Sequence, residues 1–306
     1  MSQMPSFKGV PRIFPVKVDM KYRPSPYNPK SPYVAKGHYA VATRIVAADG
    51  SGDFEDIQEA INDLPSSGGV VYIKEGTYEV SSVISISKSN VSLIGAGKST
   101  VISSSASPVI SASSVDNVLI SQLFFSSPPG WAIYLGSSSE SAISYCWISN
   151  CGDNSIQVTG CQEIFISNCF ISGGPGIGIE SNSSSSLLIS NLISDKESGV
   201  YLTGDNNIVS SNRILSCGNG AGVEVETSHS IITSNFISDS GDHGIILYSS
   251  SRRNIISNNQ VLSSFGYGVQ IQGDYNLLLG NVLYNNSAGA YQNLGTGNEI
   301  AHNITS

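Results

Sequence analysis

The chain has 306 residues with 15 Lys or Arg, 23 Asp or Glu and a formal net charge of −8, and only 12% of its residues are charged. Such an acidic balance disfavours nucleic acid, whose binding rests on neutralising phosphates, and no stretch approaches the roughly 20 apolar residues of a membrane span. Ser, Asn and Gly are abundant, but Ile, Val and Leu recur at regular positions, which excludes a disordered low-complexity chain.

Residues 1–43 read as an extended, basic, Pro-rich arm. They hold seven of the twelve prolines, and residues 1–44 carry eight Lys or Arg against the single acid Asp19. The other 22 acids therefore fall in the body, and an arm of this charge is suited to dock on an acidic assembly partner or another copy of the body. The opening text MSQMPSFKGVPRIFPVKVDMK has no continuous apolar core of signal-peptide length. The expectation is therefore a chain that works inside the cell, leaves it by another route, or is assembled into a particle before release.

Residues 44–306 form the second unit. RIVAAD at 44–49 reads as a first strand. DFEDIQEAINDLP follows, with Asp53 as expected N-cap of a helix over about 53–64, an apolar face at Phe54, Ile57, Ala60, Ile61 and Leu64, and Pro65 as stop. A single short amphipathic helix before a run of strands is placed to cap them. VVYIKEGTYEV and SNVSLIGAGKSTVI supply further strands and Gly turns.

From about residue 115 to 303 the text repeats every 23 residues or so. The anchors Gln122, Tyr145, Asn168, Asn191, Asn212, Asn235, Asn258, Asn281 and Asn303 each sit in an apolar-x-apolar-Ser-Asn-x-apolar frame. Fixed-period self-similarity with apolar alternation of two means stacked strands. Strands that return in the same direction once per coil must pair in parallel, so the expected fold is all-β: a right-handed, three-sided parallel β-helix. The Ser-Asn anchor is expected at a bend, where Asn accepts left-handed backbone and stacked amides bond coil to coil. After Asn303 no helix follows, so the last coil is expected to need a cover: another subunit, the basic arm of a neighbour or an assembly partner.

Cys146 and Cys169 are 23 apart and so equivalent on neighbouring coils; Arg213 and Gln260 were aligned with them, which predicts outward side chains, either bridged or free. Five cysteines in total do not make a disulfide framework.

The strand after each Gly offers outward positions in two columns. One reads Tyr134, Gln157, Gly178, Tyr201, Glu224, Ile246, Gln270, Tyr291; the other Gly136, Thr159, Glu180, Thr203, Glu226, Tyr248, Gln272, Asn293. Tyrosine rings with hydroxyls suit sugar faces, and a long flat solenoid face suits a polymer. Glu180 and Glu226, two coils apart in this alignment, would have backbones about 9.5 Å apart, at the upper edge for an acid and a base that flank a water in inverting glycoside hydrolysis. Glu224 shares a strand face with Glu226. Asp242-His243 precedes the next such strand and offers a general base, while Arg252 and Arg253 in the following loop could neutralise a uronate. A solvated polar strand face and ordinary turns explain the same residues without function. No HExxH, CxxC pair, Asp-rich calcium loop or Walker-type loop is present, and GAGKST at 95–100 lacks the Walker spacing. Neither metal nor cofactor is expected.

VAADGSGDFEDIQEAINDLP, VVYIKEGTY and NVSLIGAGKSTVI, within residues 46–102, resemble the N-terminal region of pectinesterases in the wider pectate-lyase superfamily. Residues 115–303 resemble the parallel β-helix repeats of sugar-active proteins and viral tailspikes. The resemblance implies the fold and a polysaccharide or surface glycan as partner. It does not carry esterase chemistry: QDT, DFxFG-type and LGRPW segments are absent, and only GDHG at 241–244 is similar to a polygalacturonase motif. Three readings remain open: a tailspike-like or adhesin-like glycan binder of a virion, a polysaccharide hydrolase or lyase, and a structural capsid or surface-layer component.

Overall fold

The computed structural model describes residues 42–305. The expected arm and its docking fall outside the described residues. From Ala42 onward the chain is one compact unit.

Three parallel sheets run the length of the stack. Sheet A has 12 strands, from Thr43–Val46 to Glu299–Ala301; sheet B has 11, from Gly76–Val80 to Ile304–Thr305; sheet C has 10, from Ile84–Ile86 to Gly289–Asn293. Each coil visits A, then B, then C, and pairs in register with the coils before and after it. Within a coil Ala142–Ser144 lies in A, Trp147–Ser149 in B and Ile156–Gln162 in C.

Alternation decides what fills the interior. On sheet A the inward ladder runs Ile120, Ile143, Ile166, Leu188, Val209, Ile232, Ile256 and Leu278, each fully buried. Ladders of Ile, Val and Leu from all three sheets meet in a single core, and burying each such side chain is worth about 1.5–3 kcal/mol.

Corners are made by left-handed residues in columns. Between A and B these are Gln122, Tyr145, Asn168, Ser190, Ser211, Ser234, Asn258, Gly280 and His302; Asn150, Asp195 and Asp239 lie after B, and Glu163, Asn206 and Arg253 lie before A. A residue near φ +55° reverses the chain within one or two positions, which lets strands as short as three residues close a coil.

The Asn anchor proves to be two columns. Gln122, Tyr145, Asn168 and Asn258 hold the left-handed position, whereas Asn191, Asn212, Asn235, Asn281 and Asn303 occupy the next one and point inward, joined by Asn259. In that inner column Asn212 N donates to Asn235 Oδ1 at 2.9 Å and Asn235 N to Asn259 Oδ1 at 3.0 Å, while each amide nitrogen returns a bond to a carbonyl of the preceding coil. A second inner ladder of Asn207, Ser230, Asn254, Asn276 and Asn298 lines the corner between C and A. Buried corner N–H groups have no partner in their own coil, and a carbonyl held over them by the next coil satisfies them.

Cys146 and Cys169 begin the same inner column. They are fully buried rather than outward, because their equivalents are Asn191 and Asn212 and not Arg213 and Gln260. All five cysteines are free thiols, and burial pushes the Cys146 thiol well up.

The capping helix is Ile57–Asp63, with Ile57, Ala60 and Ile61 packed on the first strands of the stack. Its N-cap is Asp56, whose carboxylate accepts from Glu59 N at 2.8 Å. Asp53 accepts from Ile45 N at 2.9 Å instead, and Phe54 bridges to Val46. That bridge keeps residues 53–54 extended and delays the helix by three positions.

Candidate functional site: the outer strip of sheet C

Pairing in sheet C fixes which outward residues are neighbours. The central column runs Tyr134, Gln157, Glu180, Tyr201, Glu224, Ile246, Gln270, Gln292. Two residues later on each strand, Thr159 lies beside Asn182, which places Thr203, Glu226, Tyr248 and Gln272 in the flanking column.

This corrects three expectations. Glu180 lies in the column of Glu224, with Tyr201 between them, and not in that of Glu226. The residues missing from the 23-residue period are lost after Glu180: one opposite the bulge at Thr159/Cys161, the other in the corner before Ser198. Tyr291 pairs with Val269 and so continues an inward column, leaving Gln292 on the strip. Gly178 meets the backbone of Gly199 and the side chain of Ile193, so it too is not on the strip.

Glu224 is held at both oxygens. Ser198 Oγ donates to Oε1, and Tyr248 donates its hydroxyl to Oε2 at 2.8 Å. Burial, then the bond to Glu224, pushes the Tyr248 hydroxyl well up, so it stays a donor. Tyr201 is pushed up to about 12 by burial, by its bond to Glu226 and by the charges of Glu226, Glu224 and Glu180. Glu180 accepts from Asn154 Nδ2, which also donates to Gln157 Oε1 at 3.0 Å, while Asn154 Oδ1 takes Ile177 N at 2.7 Å. Asn154 thus fixes the corner and the two strip residues together.

At one end of the strip Trp131 stacks on Tyr134 with centroids 5.6 Å apart, and its Nε1 donates to Asp153 Oδ2 at 3.1 Å. At the other, Gln272 donates to Gln270 and Gln270 to Gln292, both at 2.8 Å. Trp131, Asn154 and Ser198 were not singled out from the sequence. Trp131 and Asn154 sit in the corners between B and C and Ser198 opens the sheet C strand after such a corner, where no period marks them.

Asp242 and His243 lie at the same edge. His243 Nδ1 accepts from Tyr267 N at 2.9 Å, its ring stacks on Tyr267 at 5.8 Å, and Nε2 lies 3.6 Å from Asp242 Oδ1. With Nδ1 acting as acceptor for the backbone, the neutral ring carries its proton on Nε2, toward the carboxylate. The pair therefore ties two coils together. Arg252 lies in the corner between C and A with Nη2 3.6 Å from Asp274 Oδ2, and Arg253 is the left-handed residue of that corner, off the strip.

The strip is open rather than a cleft. A depression of about 410 Å³ flanks it around Lys196, and another of about 520 Å³, lined by Ala48, Asp49, Ser51, Tyr72, Lys74, Glu75 and Gly76, lies at the first coils. The larger of the two lies at the first coils, away from Glu180, Glu224 and Glu226. Among the described residues no group of three or more His, Cys, Asp or Glu is arranged to hold a metal, and no helix is long and apolar enough to cross a membrane.

A three-sided right-handed coil with Asn-laddered corners defines the class of this protein as a parallel β-helix of the pectate-lyase-like kind. Its residues 101–261 and 154–305 match the right handed beta helix region model, and the chain belongs to that family. Residues 43–118 also match the pectinesterase model. Two curated relatives share that character: a probable pectinesterase/pectinesterase inhibitor 12 of Arabidopsis thaliana, 45% identical over 56 residues (17% of this chain, 10% of that protein), and pectinesterase 3 of Solanum lycopersicum, 32% identical over 89 residues (28% and 16%). The chain thus spans less than a fifth of either.

Similar solved structures include Geobacillus virus E2 ORF18, at 20% identity and TM-score 0.69, covering 83% of this chain and 60% of that one. The A-module of mannuronan C-5 epimerase AlgE4 from Azotobacter vinelandii follows at 15% identity and TM-score 0.65 (76% and 74%). A DFA-IIIase of Arthrobacter chlorophenolicus A6 in complex with DFA-III has 16% identity and TM-score 0.66 (86% and 84%). At these identities the likeness is one of fold.

Proposed function

We propose that this protein binds polysaccharide along the outer strip of sheet C, as a tailspike-like or adhesin-like component that meets surface glycans on a virion or outside the cell. The observation that carries the reading is the strip itself: Tyr134, Tyr201 and Tyr248 with Gln157, Gln270, Glu180, Glu224 and Glu226, spaced by the coil rise of about 4.8 Å. Tyrosines offer apolar ring surface, amides and carboxylates offer acceptors and donors, and the open length accepts a polymer rather than a compact molecule. A viral protein among the similar folds, beside an epimerase and a DFA-IIIase that act on sugars, favours the same reading. In this picture residues 1–43 are the docking arm, and the particle form is a homo-oligomer, with a trimer expected.

Glu180 and Glu224 favour a second reading, polysaccharide cleavage. Two coils apart in one column, their backbones stand about 9.5 Å from each other, in the range of an inverting acid–base pair. Tyr201 lies between them in the column, its hydroxyl bonded to Glu226.

Electrophoresis of the protein through gels that contain individual polysaccharides tests the binding reading. Retardation by at least one polymer, lost in a Tyr134→Ala/Tyr201→Ala variant that melts like the parent, supports it. A variant retarded as strongly as the parent sinks the strip as the binding surface. New reducing ends released from the retarding polymer would add the cleavage reading.

A further inference from the structure

Resting on the reading that the strip binds saccharide, we infer that its ligand is an uncharged polysaccharide, whose sugars present hydroxyls but no carboxylate or sulfate. Residues 130–280 carry twelve carboxylates and four cations, Lys196, Arg213, Arg252 and Arg253. None of the four stands on a sheet C strand.

Each cation has another place. Lys196 is buried, with Nζ bonded to the main-chain oxygens of Asp153 at 3.0 Å and Pro175 at 2.6 Å. Arg213 belongs to sheet B and lies over the Phe236 ring at 4.9 Å. Arg252 faces Asp274 in the corner between C and A, and Arg253 forms the left-handed turn of that corner. Among the described residues no guanidinium fork is aimed at the strip, the group best suited to paired recognition of a carboxylate or sulfate.

Ser198, Tyr248 and Asn154 spend their donors on Glu224 and Glu180. What the carboxylates offer outward is therefore acceptor capacity. A sugar hydroxyl can donate to these carboxylate oxygens, whereas a uronate carboxylate brings a second acceptor and a like charge. Glu224 and Glu226 share one strand face and Glu180 stands two coils, about 9.5 Å, from Glu224, so an anionic polymer on the central strip meets like charge at every second coil, screened over a Debye length of about 8 Å to 10 Å at ordinary salt. The expectation that Arg252 and Arg253 receive a uronate is replaced by this one.

The test uses the full chain in affinity gels that hold dextran, laminarin, mannan, inulin, polygalacturonate or alginate, each at low and at physiological salt. At least one uncharged polymer should retard the protein, roughly tenfold more strongly than either polyuronate and equally at both salt levels, since salt screens only charge. In a Gln270→Lys variant, which places a cation on the strip, retardation by polyuronates should rise at low salt. Retardation by a polyuronate that weakens with salt overturns the inference and leaves the saccharide reading standing. A further gel with chitosan completes the panel, and retardation by chitosan with no uncharged polymer effective also overturns the inference, as it marks the strip as a cation-binding surface. Absence of retardation by every polymer overturns the saccharide reading and the inference with it.

Discussion

At the scale of single residues, Glu224 is the most constrained carboxylate of the strip, fixed by Ser198 and Tyr248 from the coils on either side. If the strip cleaves its polymer, Glu224→Gln and Glu180→Gln should each lower turnover by about 10²–10⁴-fold, the usual worth of a general acid or base, with little change in melting temperature. Turnover within about twofold of the parent would remove both from the chemistry. A second prediction concerns alkaline pH. Tyr201 is held protonated up to about 12 against an ordinary 10.0, and Cys217 up to about 12 against 9.0, both chiefly through burial. The unfolded chain gives up these protons first, so over that interval the folded state binds more protons. The contribution is fully present below about pH 9 and is lost as pH rises through about 12. Denaturant midpoints should therefore fall steadily between those limits, and Cys217→Ala should flatten part of the slope; a midpoint independent of pH there would contradict the buried, protonated thiol.

At the scale of elements, the corners decide the stack. Asn235 accepts from Asn212 N and Nδ2 and donates to Val209 O and Asn259 Oδ1. Asn235→Ala strands several buried polar groups at once, each of which costs about 1–3 kcal/mol, so a loss of about 2–4 kcal/mol is expected in urea unfolding. Its neighbour Ser234 is exposed at the left-handed position, and Ser234→Ala should cost no more than about 0.5 kcal/mol. Equal losses would mean that the inner ladder is not the stabilising column. The Ser-Asn pairs were legible as a repeat, but the one-residue offset between Asn168 and Asn191 was not, because Asn suits both a left-handed bend and an amide ladder. The helix was legible to within a turn; its start moved from Asp53 to Asp56 because Phe54 pairs with Val46, a contact outside the reach of capping rules.

At the scale of the molecule, a solenoid in which each coil touches only its neighbours sums its stability coil by coil. Removal of residues 1–41 should then leave the unfolding free energy of the remainder within about 1 kcal/mol, while abolishing any oligomer seen by sedimentation if the arm is the docking segment. An oligomer unchanged by the deletion would move that role to the body. Parallel strands, right-handed coils and an apolar interior followed from the sequence alone, since period and alternation are properties of the chain and every coil obeys them. Which carboxylates face one another did not. A side-chain column is set by cumulative register, and the bulge at Thr159/Cys161 together with one short corner moves Glu180 beside Tyr201 and Glu224. Only pairing between coils counts those residues, so the sequence determined the scaffold and the tertiary structure decided the site.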